Sequence, residues 1–432
     1  MRNFRIVELG LTSLCLVMAL GSCWSQSTEG YERGEGFLFK NDSSGYGLQL
    51  RGYAQFSSEM RHFDGTEEWA TRYRARRIRI RLVGNLPLPK IRYRLQVELA
   101  RPGGEGDDAQ SRLMDAWVAY RPSNRFALTF GQRASLSDNM ELRMGSHTLQ
   151  LPERSRVTSA FGTIREFGVF AEGRIRAGRK GWVKLGASCV TGDGSVPMAR
   201  MNRGGLKTEG RLSWLPLGLF RSFGEFRQAD LVREVQPKAV ISAYGSVNRG
   251  MSSRRGREGG AILYLDNDFN EVLPDFWKMG VDFMMKYRGW TLLTEWVTTG
   301  AQVPEDITQR VRNNGSIATT FEGGVDAYVR GRMMLGSGFN AQLGYVLPSL
   351  WSLDARVTRL TPDEHSFLNN GTFYARNLYG EFGVTKYLGR DYGAKVQLGI
   401  MRTIAEPTAI TVDREFYDGG EWTVRVLTQF AF

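Results

Sequence analysis

The 432-residue chain predicts an all-β fold, a transmembrane antiparallel β-barrel of about 16 strands with long outer loops. Three observations carry that prediction. From Gly45 to Phe432 the side chains alternate with period two, broken only by turns. Short connections alternate with long ones, the arrangement of barrels with short periplasmic turns and long outer loops. Apolar residues are only 42% of the chain and come in short runs, with 51 glycines and 12% aromatics. No apolar run after residue 25 reaches the roughly 18–20 residues that a membrane helix needs. A barrel needs only a lipid-facing belt, which accounts for a mean hydropathy of −0.32. Collagen is excluded by the lack of a glycine period, disorder by the aromatics, and a disulfide scaffold by three cysteines.

The elements follow in order. Residues 1–25 read as an export signal: Arg2 and Arg5 at the start, a short apolar core over Leu9–Gly21, then small residues before polar Gln26. Two processing readings stand. Cleavage after Ser25 leaves Cys23 and Ser25 as the small residues before the cut. Alternatively Leu20-Gly21-Ser22-Cys23 resembles a bacterial lipoprotein box, with Cys23 acylated. Loss of residues 1–25 leaves 55 basic and 44 acidic residues, net +11, and Cys189 as the only thiol. Residues 26–44 are mostly polar and glycine-rich and read as a flexible periplasmic lead-in. Residues 45–432 read as one barrel domain localised to the bacterial outer membrane.

Strands are expected at 46–58, 72–83, 91–101, 113–121, 126–132, 164–176, 181–191 and 206–217, then at 238–248, 276–287, 290–299, 325–347, 350–361, 374–387, 392–404 and 419–432. In the second strand Ile78, Ile80 and Leu82 face one way and Arg77, Arg79 and Arg81 the other. In the third, Tyr93, Leu95 and Val97 oppose Arg92, Arg94, Gln96 and Glu98. A one-residue slip of this hairpin would put charges in lipid, so the arginines must share one face. In a closed barrel that face is the lumen. The last strand places Trp422, Val424, Val426, Thr428, Phe430 and Phe432 on one side, apolar with aromatics at both ends. Phe430 and terminal Phe432 resemble the signal that outer-membrane barrels present to their assembly machinery. Segment 133–163 lacks alternation. The link 218–237 is long yet falls on the short-turn side.

Other functions leave little trace. The three histidines, His62, His147 and His365, are placed in expected loops without a catalytic motif, so no enzyme, metal site or cofactor is expected. Asp193-Gly194 and Asp266-Asn267-Asp268 carry side chains that bind calcium, and they equally fit turns. No phosphate loop or dinucleotide fingerprint occurs. The basic balance points away from nucleic acid, because the arginines fall on one interior face.

The chain resembles the porin O/porin P family of outer-membrane channels, the phosphate-selective porins. The resemblance rests on Arg76-Arg77-Ile78-Arg79, Tyr93-Arg94-Leu95-Gln96-Val97-Glu98-Leu99-Ala100, Asp115-Ala116-Trp117-Val118-Ala119-Tyr120 and Gly131-Gln132. Leu151-Pro152-Glu153-Arg154 and Gly344-Tyr345-Val346-Leu347-Pro348 complete it. It implies a 16-stranded barrel, often a homotrimer, with a third loop folded into the pore where 133–163 lies. One departure is Arg133-Ala134-Ser135-Leu136-Ser137, where the family usually has lysine, proline and an aromatic after the Gly-Gln pair. The implied function is passive diffusion of small hydrophilic solutes with a preference for anions, phosphate among them. Arginine suits that task because it makes paired, fixed-geometry bonds to oxyanions. Arg77, Arg79, Arg81, Arg92 and Arg94 are the expected wall charges, and Arg133, Arg143, Arg154 and Arg156 the expected loop charges. Glu98, Glu141 and Glu153 are expected to oppose them across a constriction. Partners are outer-membrane lipid, small anionic solutes and the barrel-assembly machinery. The alternative is a non-conducting barrel acting as adhesin, anchor or secretion-machinery partner.

Overall fold

The structure, a computed structural model, describes residues 27–32, 35–41, 45–65, 67–86, 88, 90–100, 113–192, 194, 205–251, 263–312, 314–369, 376–405 and 420–432. The wall begins with β1 (Tyr46–Phe63), β2 (Trp69–Asn85), β3 (Ile91–Glu98) and β4 (Leu113–Ser123). Next come β5 (Phe126–Arg133), β6 (Glu166–Ala177), β7 (Gly181–Val190) and β8 (Lys207–Leu215). The second half is β9 (Lys238–Asn248), β10 (Asp275–Tyr287), β11 (Trp290–Gln302) and β12 (Gly336–Val346). It ends with β13 (Trp351–Pro362), β14 (Arg376–Tyr387), β15 (Ala394–Ala405) and β16 (Glu421–Ala431). Each strand pairs antiparallel with its successor. The barrel closes where β16 pairs with β1, Glu421 opposite Phe63 through Ala431 opposite Tyr53. Phe432 continues the seam, donating its N–H to Gly52 O at 2.9 Å and accepting from Gly52 N at 2.7 Å. Closure removes every wall edge, which a lipid-exposed backbone requires.

Alternation sorts the side chains. Leu212, Trp214, Trp277, Met279, Val281, Leu353, Val357, Leu398, Ile400 and Val426 stand exposed on the outside. This apolar belt around a closed antiparallel barrel makes the chain an outer-membrane protein. Inside, Lys207, Glu209, Arg211, Lys278, Asp282, Glu295, Arg356, Lys395 and Arg425 are buried. Charges do not stay buried unpaired. Accordingly Lys207 lies 3.0 Å from both Glu166 and Glu209, Lys278 2.9 Å from Asp138, and Arg211 pairs with Asp282.

All sixteen expected strands are present, with shifted ends. β1 and β2 run further than expected, so the outer link 59–71 contracts to 64–68. Their added length at this end, 59–63 and 69–71, carries Glu59, Arg61 and His62, too polar to read as membrane strand. His62 accordingly lies on β1, against Trp69 at 5.0 Å, rather than in a loop. The expected strand 325–347 begins only at Gly336, and Val325–Arg330 forms a helix whose Val329 packs with Met333 and Leu335. Part of the stretch read as a lead-in is a hairpin, Ser27–Glu32 with Gly36–Asn41, whose second strand pairs with Tyr46–Leu50 below the seam. The loops at 249–275 and 300–324 join in a small sheet of Leu263–Leu265, Gln309–Val311 and Ile317–Ala318. Asp266 Oδ1 accepts from Asp268 N and Asn270 N at 2.8 Å, a turn. No metal-ligating cluster occurs among the described residues. The export signal, Asp193 and most of the arginine-rich stretch 249–257 lie outside the described residues.

Candidate functional site: an arginine-lined constriction

The segment between β5 and β6, residues 134–165, runs inward and lies across the lumen. Two short helices shape it, α1 (Met140–Arg143) and α2 (Arg156–Phe161). Ser155 caps α2 by accepting from Thr158 N at 3.2 Å. Glu141 ties the segment to itself, accepting from Ser155 N at 2.8 Å and from Thr158 Oγ1 at 2.6 Å. Arg154 closes the bend by donating to the Glu141 and Met144 carbonyls.

The far wall receives the loop tip. Thr385 Oγ1 and Gln397 Nε2 donate to Gln150 O at 2.8 and 2.7 Å, Gln429 Nε2 donates to His147 O at 3.1 Å, and Lys395 donates to Leu149 O. Inward-facing Gly383 and Gly399 make the close approach possible. A Cβ at Gly383 would run into Leu151, and one at Gly399 would lie 3.0 Å from Pro152. His147 is enclosed beside Tyr53, ring centroids 5.0 Å apart. Burial, then Arg81, Lys395, Arg227 and Arg51 around it, hold its pKa well below the ordinary imidazole value.

On the near wall a β-bulge sets the charge. Gln55 pairs with Arg77, and its neighbour Phe56 pairs with Ala75, so Arg76 is the extra residue. Strict alternation would aim Arg76 at lipid; the bulge brings Arg76 and Arg77 together onto the lumen side. Both bind Glu153 of the loop, Arg77 Nη2 to Oε2 at 2.6 Å and Arg76 through its Nε. Burial pushes the Glu153 carboxyl up, but the two guanidiniums outweigh it and hold it well below the usual range.

Above this junction sits a cavity of about 140 Å³ lined by Arg61, Arg74, Arg76, Arg154, Arg156, Arg356 and Arg425, with Glu153, Glu381, Ser159, Thr358, Tyr379 and Met401. Seven guanidiniums face two carboxylates in this lining. Arg356 bridges Glu141 at 3.1 Å and Glu381, and Arg425 pairs with Glu59. Arg156 stacks 5.3 Å over Tyr379 and makes no ion pair with a described carboxylate. Glu59 also meets Arg61 at 2.8 Å and Arg74 at 3.7 Å, so seven arginines stand against four carboxylates in and beside the lining, and the site keeps a net positive charge with donors oriented by the wall.

The structure places the expected residues unevenly. Arg77, Arg79, Arg81 and Arg94 lie on the inner face. Arg79 meets Glu98 at 2.6 Å, and Arg94 lies 3.5 Å from Asp115 and 5.3 Å over Trp117. Arg81 makes no ion pair with a described carboxylate. Arg92 is at the short-turn rim, exposed, donating to Asn85 at 2.9 Å. Arg133 ends β5 rather than sitting on the loop and meets Glu172 at 2.6 Å. Arg143 lies 3.8 Å from the same carboxylate. The acids differ from expectation. Glu98, Glu141 and Glu153 do not face the arginines across a gap; each is in contact with one or more of them. Buried carboxylates need direct partners, so a gap of that kind would be costly. Arg356 and Arg425 were legible as inward positions of their strands, whereas Arg61 lay beyond the expected end of β1 and Arg74 is turned inward only by the bulge. Arg76 was not, because a bulge leaves no mark on alternation.

The family model of the phosphate-selective porins O and P matches residues 48–172, the stretch from β1 through the constriction loop into β6. That agrees with the resemblance drawn from the motifs there. No curated protein shows significant similarity. Among solved structures, OmpF of Salmonella typhi in complex with daunomycin superposes with a TM-score of 0.52 at 11% identity, covering 93% of this chain and 100% of that one. OprB of Pseudomonas putida gives 0.51 at 10%, covering 90% and 95%. The outer membrane channel DcaP of Acinetobacter baumannii gives 0.50 at 12%, covering 91% and 99%. At these identities the likeness is one of fold: the chain is built as an outer-membrane porin barrel.

Proposed function

We propose that the protein is an outer-membrane diffusion channel for small hydrophilic solutes that prefers anions, with oxyanions such as phosphate among its solutes. The observation that carries this reading is the cavity beside the constriction, with seven arginines against four acids in and beside its lining. Positive charge held in a low-dielectric enclosure concentrates anions, and several modest sites pass an ion better than one tight one. Arg81 and Arg156 matter most to the net field, since no described carboxylate pairs with them. Arg77, Arg79, Arg94, Arg133, Arg143 and Arg154 serve as further wall and loop charges, and Arg92 marks the exit rim. The barrel acts without a cofactor, after export on its first 25 residues, and as a single barrel or a homotrimer.

The test is the reversal potential of the purified, folded protein in a planar bilayer under a KCl gradient. A chloride-preferring potential is expected. Joint Arg81→Gln and Arg156→Gln replacement should move it toward cations without unfolding the barrel. An unchanged potential in the folded double variant would end the assignment. The second reading, a non-conducting anchor or adhesin, draws on how closely the 134–165 loop and the 216–237 link pack against the wall. A folded barrel without conductance steps would favour it.

A further inference from the structure

The link between β8 and β9, residues 216–237, is long yet lies at the end where the other connections are short. It does not hang outside the barrel. Phe220 joins Leu215, Val240, Met284 and Leu293 of the inner wall in one apolar cluster with Met140 and Met144 of the constriction loop. One ammonium holds three carbonyls of the link: Lys286 Nζ, on β10, donates to the Gly224, Arg227 and Ala229 oxygens at 2.8, 2.6 and 3.2 Å, while Lys184 on β7 binds Glu225. Three donors thus meet three acceptors. Tyr392 Oη adds a bond to Ala229 O at 2.7 Å, and buried Asp230 accepts from Gly289 N at 2.8 Å. Gln228 is the hydrogen-bonded contact with the loop. Its Oε1 accepts from Gln150 N at 2.7 Å, and its Nε2 donates to Gln342 Oε1 at 3.1 Å, with Glu141 Oε1 at 3.5 Å.

We infer that this link is a second jaw of the constriction, a specificity-determining element that fixes the 134–165 loop from the short-turn side and narrows the passage there. The inference rests on the channel reading. Exposure fits a lumen filled at the link. Inner-face Lys286, Gln342, Asp354 and Lys395 are at most 2% exposed. By contrast, the side chains of Arg94 and Glu172 keep 34% and 31%. A solute therefore has room beside Arg94 and none beside Lys286. Without the link, the loop keeps its wall contacts but loses its floor at Gln150.

Two full-length variants test this in planar bilayers beside the parent protein. In one, residues 219–234 are replaced by a short Gly-Ser turn; in the other, Gln228→Ala removes the hydrogen bonds to the loop and to Gln342 and leaves the Phe220 packing in place. With a conducting parent, the shortened barrel should show severalfold higher conductance and weaker anion preference, and Gln228→Ala should flicker more at nearly unchanged conductance. If the shortened barrel does not fold, Gln228→Ala alone decides. Folded variants with the parent's conductance, noise and reversal potential would overturn the jaw while leaving the channel standing. If the parent is silent, the channel reading fails separately. A shortened barrel that then conducts would show the link to be the closing element, and a silent one would overturn the inference.

Discussion

Arg356 shows what a single buried charge does in this lumen. It is the shared partner of Glu141 and Glu381 and also donates to Glu153 O at 3.0 Å. Removing one member of a buried pair strands the others, at a cost of about 3–5 kcal/mol. Arg356→Met should therefore lower the free energy of the loop-sensitive urea transition by about that amount, while Arg359→Met, exposed on the outer face of the same strand, should leave it unchanged. His147 makes a different prediction. Burial and the cations around it disfavour its protonated form, so its pKa is depressed in the folded state. The opened loop takes up a proton below about pH 6.5, the ordinary imidazole value. Loop stability is then full above that pH and falls as pH drops below it. Hydrogen-exchange protection factors over 144–152, taken relative to the intrinsic rate at each pH, should fall from pH 7 to pH 5, and His147→Gln should flatten the dependence.

Elements show where reading from residues succeeds and where it fails. The sixteen strands were legible because lipid on one side and water on the other enforce a period of two over every crossing. Arg77, Arg79 and Arg81 were placed on the lumen side by that rule alone. The rule fails where the ladder is interrupted. The Arg76 bulge adds one residue to one strand, so even-numbered Arg74 before it shares the lumen side with odd-numbered Arg77, Arg79 and Arg81 after it. Deleting Arg76 should therefore restore a regular ladder, leave the barrel intact and remove one of the two guanidiniums holding Glu153. The expected readout is an unchanged folded mobility with a smaller anion preference; a misfolded deletion would mean that the bulge is needed for closure. The loop seat was illegible for a related reason. Gly383 and Gly399 look like ordinary strand glycines until the loop is seen to lie on them. Gly383→Val should lift Leu151 from the wall and raise conductance in a barrel that still folds.

At the scale of the molecule, two solvents meet one wall, and their roles invert the usual order of a protein. The exposed side chains are apolar and the buried ones charged, because lipid covers the outside and the infolded loop and link cover the inside. The long 216–237 link, out of place in a scheme of short turns, finds its reason only here: it fills lumen that a sixteen-stranded wall encloses but cannot fill with its own side chains. The same inversion yields a test of orientation on neighbouring residues. Val426 stands outside on β16, opposite Leu398, and Gln429 stands inside, bonded to Gln55 and Tyr392. Arginine at the lipid midplane costs roughly 2–4 kcal/mol in outer-membrane barrels, whereas lumen positions accept charge. Val426→Arg should thus lose about that much stability when unfolded by urea from phospholipid vesicles. In detergent micelles, which deform around the charge, the loss should be smaller. Gln429→Arg should change stability little in either medium and shift the reversal potential toward anions. Equal losses for the two variants in vesicles would mean that Val426 does not face lipid.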